Sequence, residues 1–369
     1  MRIFFLAVTF ILLQTMTYGV ARGLQWLAGD WFGIAGKRWL MIGLFVFSNA
    51  LLAFAIIGFS KVGFRLLMTW QALLWFFIMA ILATGLINML LNQFVSQFYH
   101  SLMYQNFGVR ILIIGIFLAI IVQSVYNAYT PTVRYLKITP NQSLAKPMRI
   151  AMVADLHLGF LVGNRQLDKL TKIMQSEKPE LLLIAGDVLD DDTEYYEREN
   201  MHPSMTKLVQ SLPLGVYATF GNHDVFGHEN QIVTALQQAG VTMLIDETLK
   251  VDERLYLVGR LDDMIKMRKP TANLLPQTID KPVILLDHRP SQIDENVKLP
   301  IDLQVSGHTH NGQVFPANFI VKYLNTVAYG HKRINDTDVL VTSGFGFWGV
   351  PFRLGSQSEV WIIDLQPKS

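Results

Sequence analysis

Asp155 and His157, Asp187 after Gly186, the run Gly221-Asn222-His223-Asp224, His288, and His308 with His310 form a chemically consistent set. They offer carboxylates, one amide oxygen and imidazoles, and no thiol. Such donors suit a pair of divalent cations such as Mn, Fe or Zn. Two adjacent cations sharing a carboxylate can hold a phosphate group and activate a water against it. Taken singly the fragments are weak. Asp-x-His is commonly a surface turn, Gly-Asp carries almost no information, and a lone histidine after an apolar run is usually a capped strand end. Gly-Asn-His-Asp is stronger. Asn222 supplies a neutral oxygen, His223 beside it can face a substrate, and Asp224 is the expected partner for the second imidazole nitrogen. Its plain alternative is a tight turn with Asn222 in a left-handed conformation. Of nine histidines, five lie in these fragments. His100, His202, His228 and His331 lack such surroundings and read as surface or loop residues.

The order and flanks of the fragments resemble the calcineurin-like metallophosphoesterase superfamily, in its membrane-anchored bacterial branch. The flanks are ADLHLG (154–159), AGDVLD (185–190), FGNHD (220–224), LLDH (285–288), SGHTHNGQ (306–313) and SGFGFWGVPFRLG (343–355), so the resemblance runs from about Met148 to the C-terminus. It implies two metals. Asp155, His157, Asp187 and His310 would bind one; Asp187, Asn222, His288 and His308 would bind the other, with Asp187 bridging. It also implies a metal-dependent phosphoesterase, phosphodiesterase or phosphatase, in which a metal-bridging hydroxide attacks phosphorus. His223, with Asp224, would then be catalytic. Two departures stand out. Family members often continue the second motif with Asp-Arg, whereas Asp191 stands here. They often read Gly-His-Thr-His-Gly-Gly-Gln, whereas Asn311 stands here. Arg353, in the late Pro-Phe-Arg segment, could bind a substrate phosphate or form a structural salt bridge.

The elements that must position these groups differ sharply along the chain. It has 369 residues, 51% hydrophobic and 16% charged, with mean hydropathy +0.30. Soluble enzymes carry about 25% charged residues. The deficit is local, because Asp30 is the only one of the 29 acidic residues before Pro131. A net charge of +2 and the lack of a basic helix argue against nucleic-acid binding. With no cysteine, disulfides and thiolate metal sites are excluded.

Residues 1–130 read as a transmembrane region of about four helices, near 3–20, 40–59, 66–91 and 109–129, since about 20 apolar residues cross the hydrocarbon layer. The first segment also resembles a secretory signal, but Tyr18 to Gly23 offers no small-x-small cleavage site. Trp26, Trp31 and Trp39 among Arg22, Lys37 and Arg38 read as interfacial anchors. Residues 93–107 are aromatic and amphipathic. No ionisable residue sits mid-span, so an anchor fits better than a transporter or channel. With four spans, Arg2, Lys61, Arg65, Arg134 and Lys137 share the side of the polar domain, against Arg22, Lys37, Arg38 and Arg110. That count leans to a cytoplasmic domain in the cell membrane.

Residues 131–147, with three prolines and no periodicity, read as a linker. From 148 to 369, eight short aliphatic runs recur: 150–154, 181–185, 216–220, 256–258, 283–286, 303–305, 339–341 and 360–363. Helix-like stretches at 165–176 and 229–239 alternate with the early ones, which predicts an α/β domain. Asp155, Asp187, Asn222, His288 and His308 each follow a run by one to three residues, so all would gather at one edge of one sheet. The resemblance implies the more specific form of two packed β-sheets flanked by helices. A tether makes a lipid-linked phosphorylated substrate, ester or pyrophosphate, and membrane lipids the expected partners. The competing expectation is a non-catalytic membrane scaffold or metal-binding sensor.

Overall fold

The computed structural model describes residues 2–29, 33–57, 61–94 and 107–368, with side chains omitted for 2–6, 57 and 92–94. Two compact units divide at Val125 and Tyr126. The first is helical: α1 (Arg2–Ala28), α2 (Ile34–Ile57), α3 (Lys61–Phe94) and most of α4 (Phe107–Tyr129). Within the described side chains three helices are long and apolar enough to cross a membrane, at Ile34–Ile56, Lys61–Leu91 and Phe107–Tyr129. The expected first span is the continuous helix α1, which is not one of those three. The polar residues that interrupt the apolar runs find each other. Thr17 and Ser48 hydroxyls lie 2.9 Å apart, the Trp70 indole donates to Ser48 at 2.8 Å, and Gln14 pairs with Asn49. Such pairing satisfies groups that lipid cannot. Most of the 93–107 stretch, and Trp31 and His100, lie outside the described residues.

The second unit contains β1 (Thr132–Ile138), β2 (Met148–Val153), α5 (Asn164–Glu177), β3 (Leu181–Ala185), α6 (Glu194–Arg198), α7 (His202–Gln210), β4 (Val216–Thr219) and α8 (Glu229–Gln238). There follow β5 (Thr242–Met243), β6 (Glu247–Val251), β7 (Leu255–Gly259), β8 (Val283–Leu286), α9 (Ile293–Asn296), β9 (Leu303–Ser306), α10 (Ala317–Leu324), β10 (Gly330–Ile334), β11 (Thr337–Val341) and β12 (Glu359–Leu365). Two six-stranded mixed sheets result, in the orders β1-β12-β2-β3-β4-β5 and β10-β11-β9-β8-β7-β6.

Strand periodicity explains the layering, because alternate side chains face opposite sides. Ile150, Met152, Leu181 and Leu183 point one way and meet Leu257, Ile284, Leu286, Leu303 and Val305 of the other sheet in one core. Ala151, Val153, Leu182 and Ile184 point the other way, onto Leu167, Leu170 and Met174 of α5 and Met205 and Leu208 of α7. Both faces of these strands are covered, hence their unbroken apolar runs. Two packed sheets flanked by helices are therefore the architecture.

Two expectations need correction. The linker 131–147 contains β1, whose seven residues pair in parallel with Glu359–Leu365. Being an edge strand with exposed alternate residues, it shows no continuous apolar run. The ligand-bearing loops also do not share one sheet. Asp155, Asp187 and Asn222 follow β2, β3 and β4 of the first sheet, whereas His288 and His308 follow β8 and β9 of the second. The site sits where the carboxyl ends of two packed sheets meet.

Candidate metal centre

Three of the five loops reach the site through unusual backbone. Asp155, His157, Asp187, His308 and His310 all have positive φ, between 46° and 68°. β2 ends at Val153, so Asp155 and His157 lie in a loop rather than on a strand continuation. A non-glycine residue in this region costs about 1–2 kcal/mol, and such strain concentrates at functional sites. Gly186, with φ 84°, precedes Asp187; a Cβ there would lie 2.5 Å from His288 Nδ1. Asn222 takes a right-handed 3-10 turn, not the left-handed one. Asn311 does adopt the left-handed conformation (φ 48°, ψ 40°), which asparagine tolerates better than most residues.

Hydrogen bonds lock the loops within the first sheet and across to the second. The His308 backbone N–H donates to Asp155 Oδ1 at 3.0 Å. The His223 N–H donates to Asp187 Oδ1 at 2.8 Å. The His288 Nδ1–H donates to the Ala185 carbonyl at 2.7 Å, which turns Nε2 inward to Asp187.

The predicted ligands then fall into two groups. Asp155, His157 and His310 converge, with His310 Nε2 3.5 Å from Asp155 Oδ1 and the His157 and His310 Nε2 atoms 3.2 Å apart. Asp187, His288 and His308 form the second. Asp187 Oδ2 lies 3.2 Å from His288 Nε2 and 3.7 Å from His157 Nε2, between the two groups. Asn222 is buried beside them, and its Oδ1 has no hydrogen-bond partner. An unpaired acceptor in a buried site is costly. Together with a donor set free of sulfur, it fits divalent cations.

Electrostatics point the same way. Burial pushes His157 and His308 down to about 3, and burial together with Arg353 lowers His310 well below its usual value. These rings are neutral at physiological pH, as metal ligands must be. Burial raises Asp155 to about 7. Asp187 is also buried, but His288 outweighs that and holds it well below the carboxylate range. Burial opposes the charge on His288, while Asp187 raises it to about 10. A cation entering this pair would take the place of that proton.

His223 requires a correction. Its Nδ1–H donates to Asp191 Oδ1 at 2.6 Å, not to Asp224. Asp224 is fully buried and accepts the backbone N–H groups of Gly221, Val188 and Leu189 at 2.9–3.2 Å, clamping two ligand loops. Adjacency in sequence suggested Asp224, but the 3-10 turn sends the two side chains opposite ways. Burial disfavours the charged His223 ring, yet Asp191 outweighs it and the pKa is raised. The ring also lies against Phe226 (5.7 Å between centroids) and Trp348 (5.6 Å), contacts the sequence did not announce.

Arg353 is buried at 0% exposure, and its guanidinium donates to the carbonyls of Ser343 and Gly346 and to the Ser356 hydroxyl. It braces the 343–356 loop behind the site, so neither substrate contact nor a salt bridge describes it. Of the remaining histidines, His228 is exposed, His202 opens α7, and His331 lies on edge strand β10, paired with Asp338 at 2.6 Å.

Known proteins resemble the part of the chain that carries these groups. The family model of the calcineurin-like phosphoesterases matches residues 148–312. An uncharacterized metallophosphoesterase of Helicobacter pylori is 29% identical over 233 residues, 61% of this chain and 62% of that one. One from Campylobacter jejuni is 28% identical over 73% of this chain and 72% of its own. A transmembrane protein with metallophosphoesterase domain from Danio rerio is 29% identical over 59% of this chain and 53% of its own. The match thus spans less than two thirds of the Helicobacter relative's length. Residues 148–312 are thus similar to the calcineurin-like phosphoesterases.

Proposed function

We propose that this chain is a membrane-anchored phosphoesterase that uses two divalent cations, Mn, Fe or Zn, to hydrolyse a phosphate ester or pyrophosphate bond. The observation that carries the reading is the position of the Asp187 carboxylate between His157 and His288, each in its own ligand group. Asp155, His157 and His310 would hold one cation, Asn222, His288 and His308 the other, and Asp187 both. When bound, such a pair supplies Lewis acidity toward phosphate oxygens and acidifies a water.

The chain's own groups do the rest. Asp191 fixes the Nδ1–H of His223, so Nε2 is the atom available to the substrate. His223 lies 4.9 Å, ring to ring, from His157. With its raised pKa it keeps a proton to give to the leaving oxygen as the P–O bond breaks. Phe226 and Trp348 limit rotation and water access at that ring.

The three apolar helices support membrane anchorage, and a tether favours a lipid-linked substrate by raising its local concentration. Counted over four spans, α1 included, the basic residues lean to a cytoplasmic catalytic domain; a reporter fused after Ser369 tests it. The activity is tested with detergent-purified full chain, bis-p-nitrophenyl phosphate and added Mn. Asp187→Ala and His223→Ala are each expected to lower the rate at least about a hundredfold. Wild type as inert as both variants, with metal bound, would leave only a binding scaffold.

A further inference from the structure

Helix α10 is amphipathic in the wrong sense for a soluble domain. Phe319, Ile320, Tyr323 and Leu324 fall on one face and are 62%, 59%, 88% and 69% exposed. The half-buried positions are Ala317, Asn318 and Val321, and Asn318 Oδ1 is buried with no hydrogen-bond partner. A helix on a soluble protein turns its apolar stripe to the core and its polar residues to water. Here no side chain of the helix is fully buried.

We propose that α10 is a membrane-contact helix, its Phe319, Ile320, Tyr323 and Leu324 face lying in the headgroup–acyl boundary of an anionic bilayer. This rests on the membrane-anchored reading, though not on catalysis. Three observations select a bilayer as the occupant. Three helices of the same chain have the length and composition to cross one. One of them, α4, ends at Tyr129, and β1 begins at Thr132, so the covalent tether is very short. Finally, the apolar face is bordered by positive charge. Lys322 and Lys332 are exposed, with no carboxylate partner among the described residues, and line a cavity of about 510 Å³ with Phe319, Tyr329 and His331. Apolar side chains flanked by lysines suit an interfacial helix on anionic lipid.

The consequence concerns the site. α10 packs directly on the turn that carries His308 and His310: a Cβ on Gly312 would lie 2.1 Å from the Asn318 backbone nitrogen. Docking α10 therefore brings the rim of the metal centre to the lipid surface, where a lipid-linked phosphate would be presented.

The absence of cysteine makes the test direct. Phe319→Cys, Tyr323→Cys and a control, Glu253→Cys on the β6–β7 turn, are each introduced into the full chain and labelled with an environment-sensitive dye. Each protein is reconstituted in phosphatidylcholine–phosphatidylglycerol vesicles, with flotation and melting temperature as checks on insertion and folding. Shallow spin-labelled lipid should quench positions 319 and 323 at least about threefold more than 253, the depth expected of an interfacial helix. Equal quenching at all three positions in protein that floats would overturn the proposal and leave anchorage standing. Failure to float would remove both. Shielding that needs no lipid and grows with protein concentration would overturn it in favour of a second copy of the chain.

Discussion

Replacing Asp191 by Asn keeps the shape of the His223 partner and removes its charge. The bond it weakens is short, at 2.6 Å, and both side chains are mostly sheltered, 14% exposed for His223 and 32% for Asp191. A hydrogen bond to a charged group contributes about 1.5–3 kcal/mol. If that stabilisation is expressed in the transition state, at about 1.4 kcal/mol per tenfold, kcat falls roughly tenfold to a hundredfold. The pH profile should move as well. Asp191 raises the His223 pKa, so its loss lowers it, and the protonated ring is lost at lower pH. The alkaline limb of kcat against pH therefore shifts toward acid. The assay is bis-p-nitrophenyl phosphate hydrolysis over a pH series, with metal content measured on the same samples. Asp224→Asn is the counterpart, because it breaks the clamp on Gly221, Val188 and Leu189. It should lower the melting temperature and metal content together. The reasoning fails if Asp191→Asn keeps the wild-type rate and pH profile while Asp224→Asn loses rate with full metal and unchanged stability.

Other substitutions follow from the same contacts. Gly221→Ala has an allowed backbone (φ −106°, ψ −176°), but its Cβ would lie 2.1 Å from Asp187 Oδ1. Because it would also lie 2.4 Å from the Asp187 backbone nitrogen, bound metal, activity and melting temperature should all fall, read by metal analysis beside a melting curve. Arg353→Met leaves the buried carbonyls of Ser343 and Gly346 without their donor. A loss of about 3 kcal/mol is expected, lowering the melting temperature by several degrees; a raised KM at unchanged stability would restore the substrate role. Arg260→Met leaves buried Asp287, 3.2 Å away, without one of its two arginines. It should destabilise the second unit by up to about 3 kcal/mol, as denaturant unfolding would register.

The interior of the fold was readable because it obeys one rule. All eight aliphatic runs are strands, and every one lies inside a sheet with both faces covered. The four strands that escaped notice, β1, β5, β6 and β10, are the outer strands of the two sheets. Residues such as Thr242, Glu247, His331 and Lys332 are exposed there, and no continuous apolar run marks them. Their strand character comes from the neighbour they pair with, which is a long-range fact.

The site divides in the same way. Ligand chemistry is a property of residue type, so Asp155, His157, Asp187, Asn222, His288, His308 and His310 could be chosen as donors from the chain alone. Which carboxylate serves His223 could not. Asp224 is its sequence neighbour, but a 3-10 turn separates the two side chains, and Asp191 arrives from a loop 32 positions away. The burial of Arg353 was equally hidden, since loop carbonyls fold around it only once the 343–356 segment closes. Composition and spacing thus determined the candidate donors, the apolar helices and the buried strands. Tertiary structure alone decided that two sheets, not one, carry the site, and which groups orient its reactive ring. The physical reason is range: local patterns record burial and chemistry, while partners and edges depend on chain segments that meet only after packing.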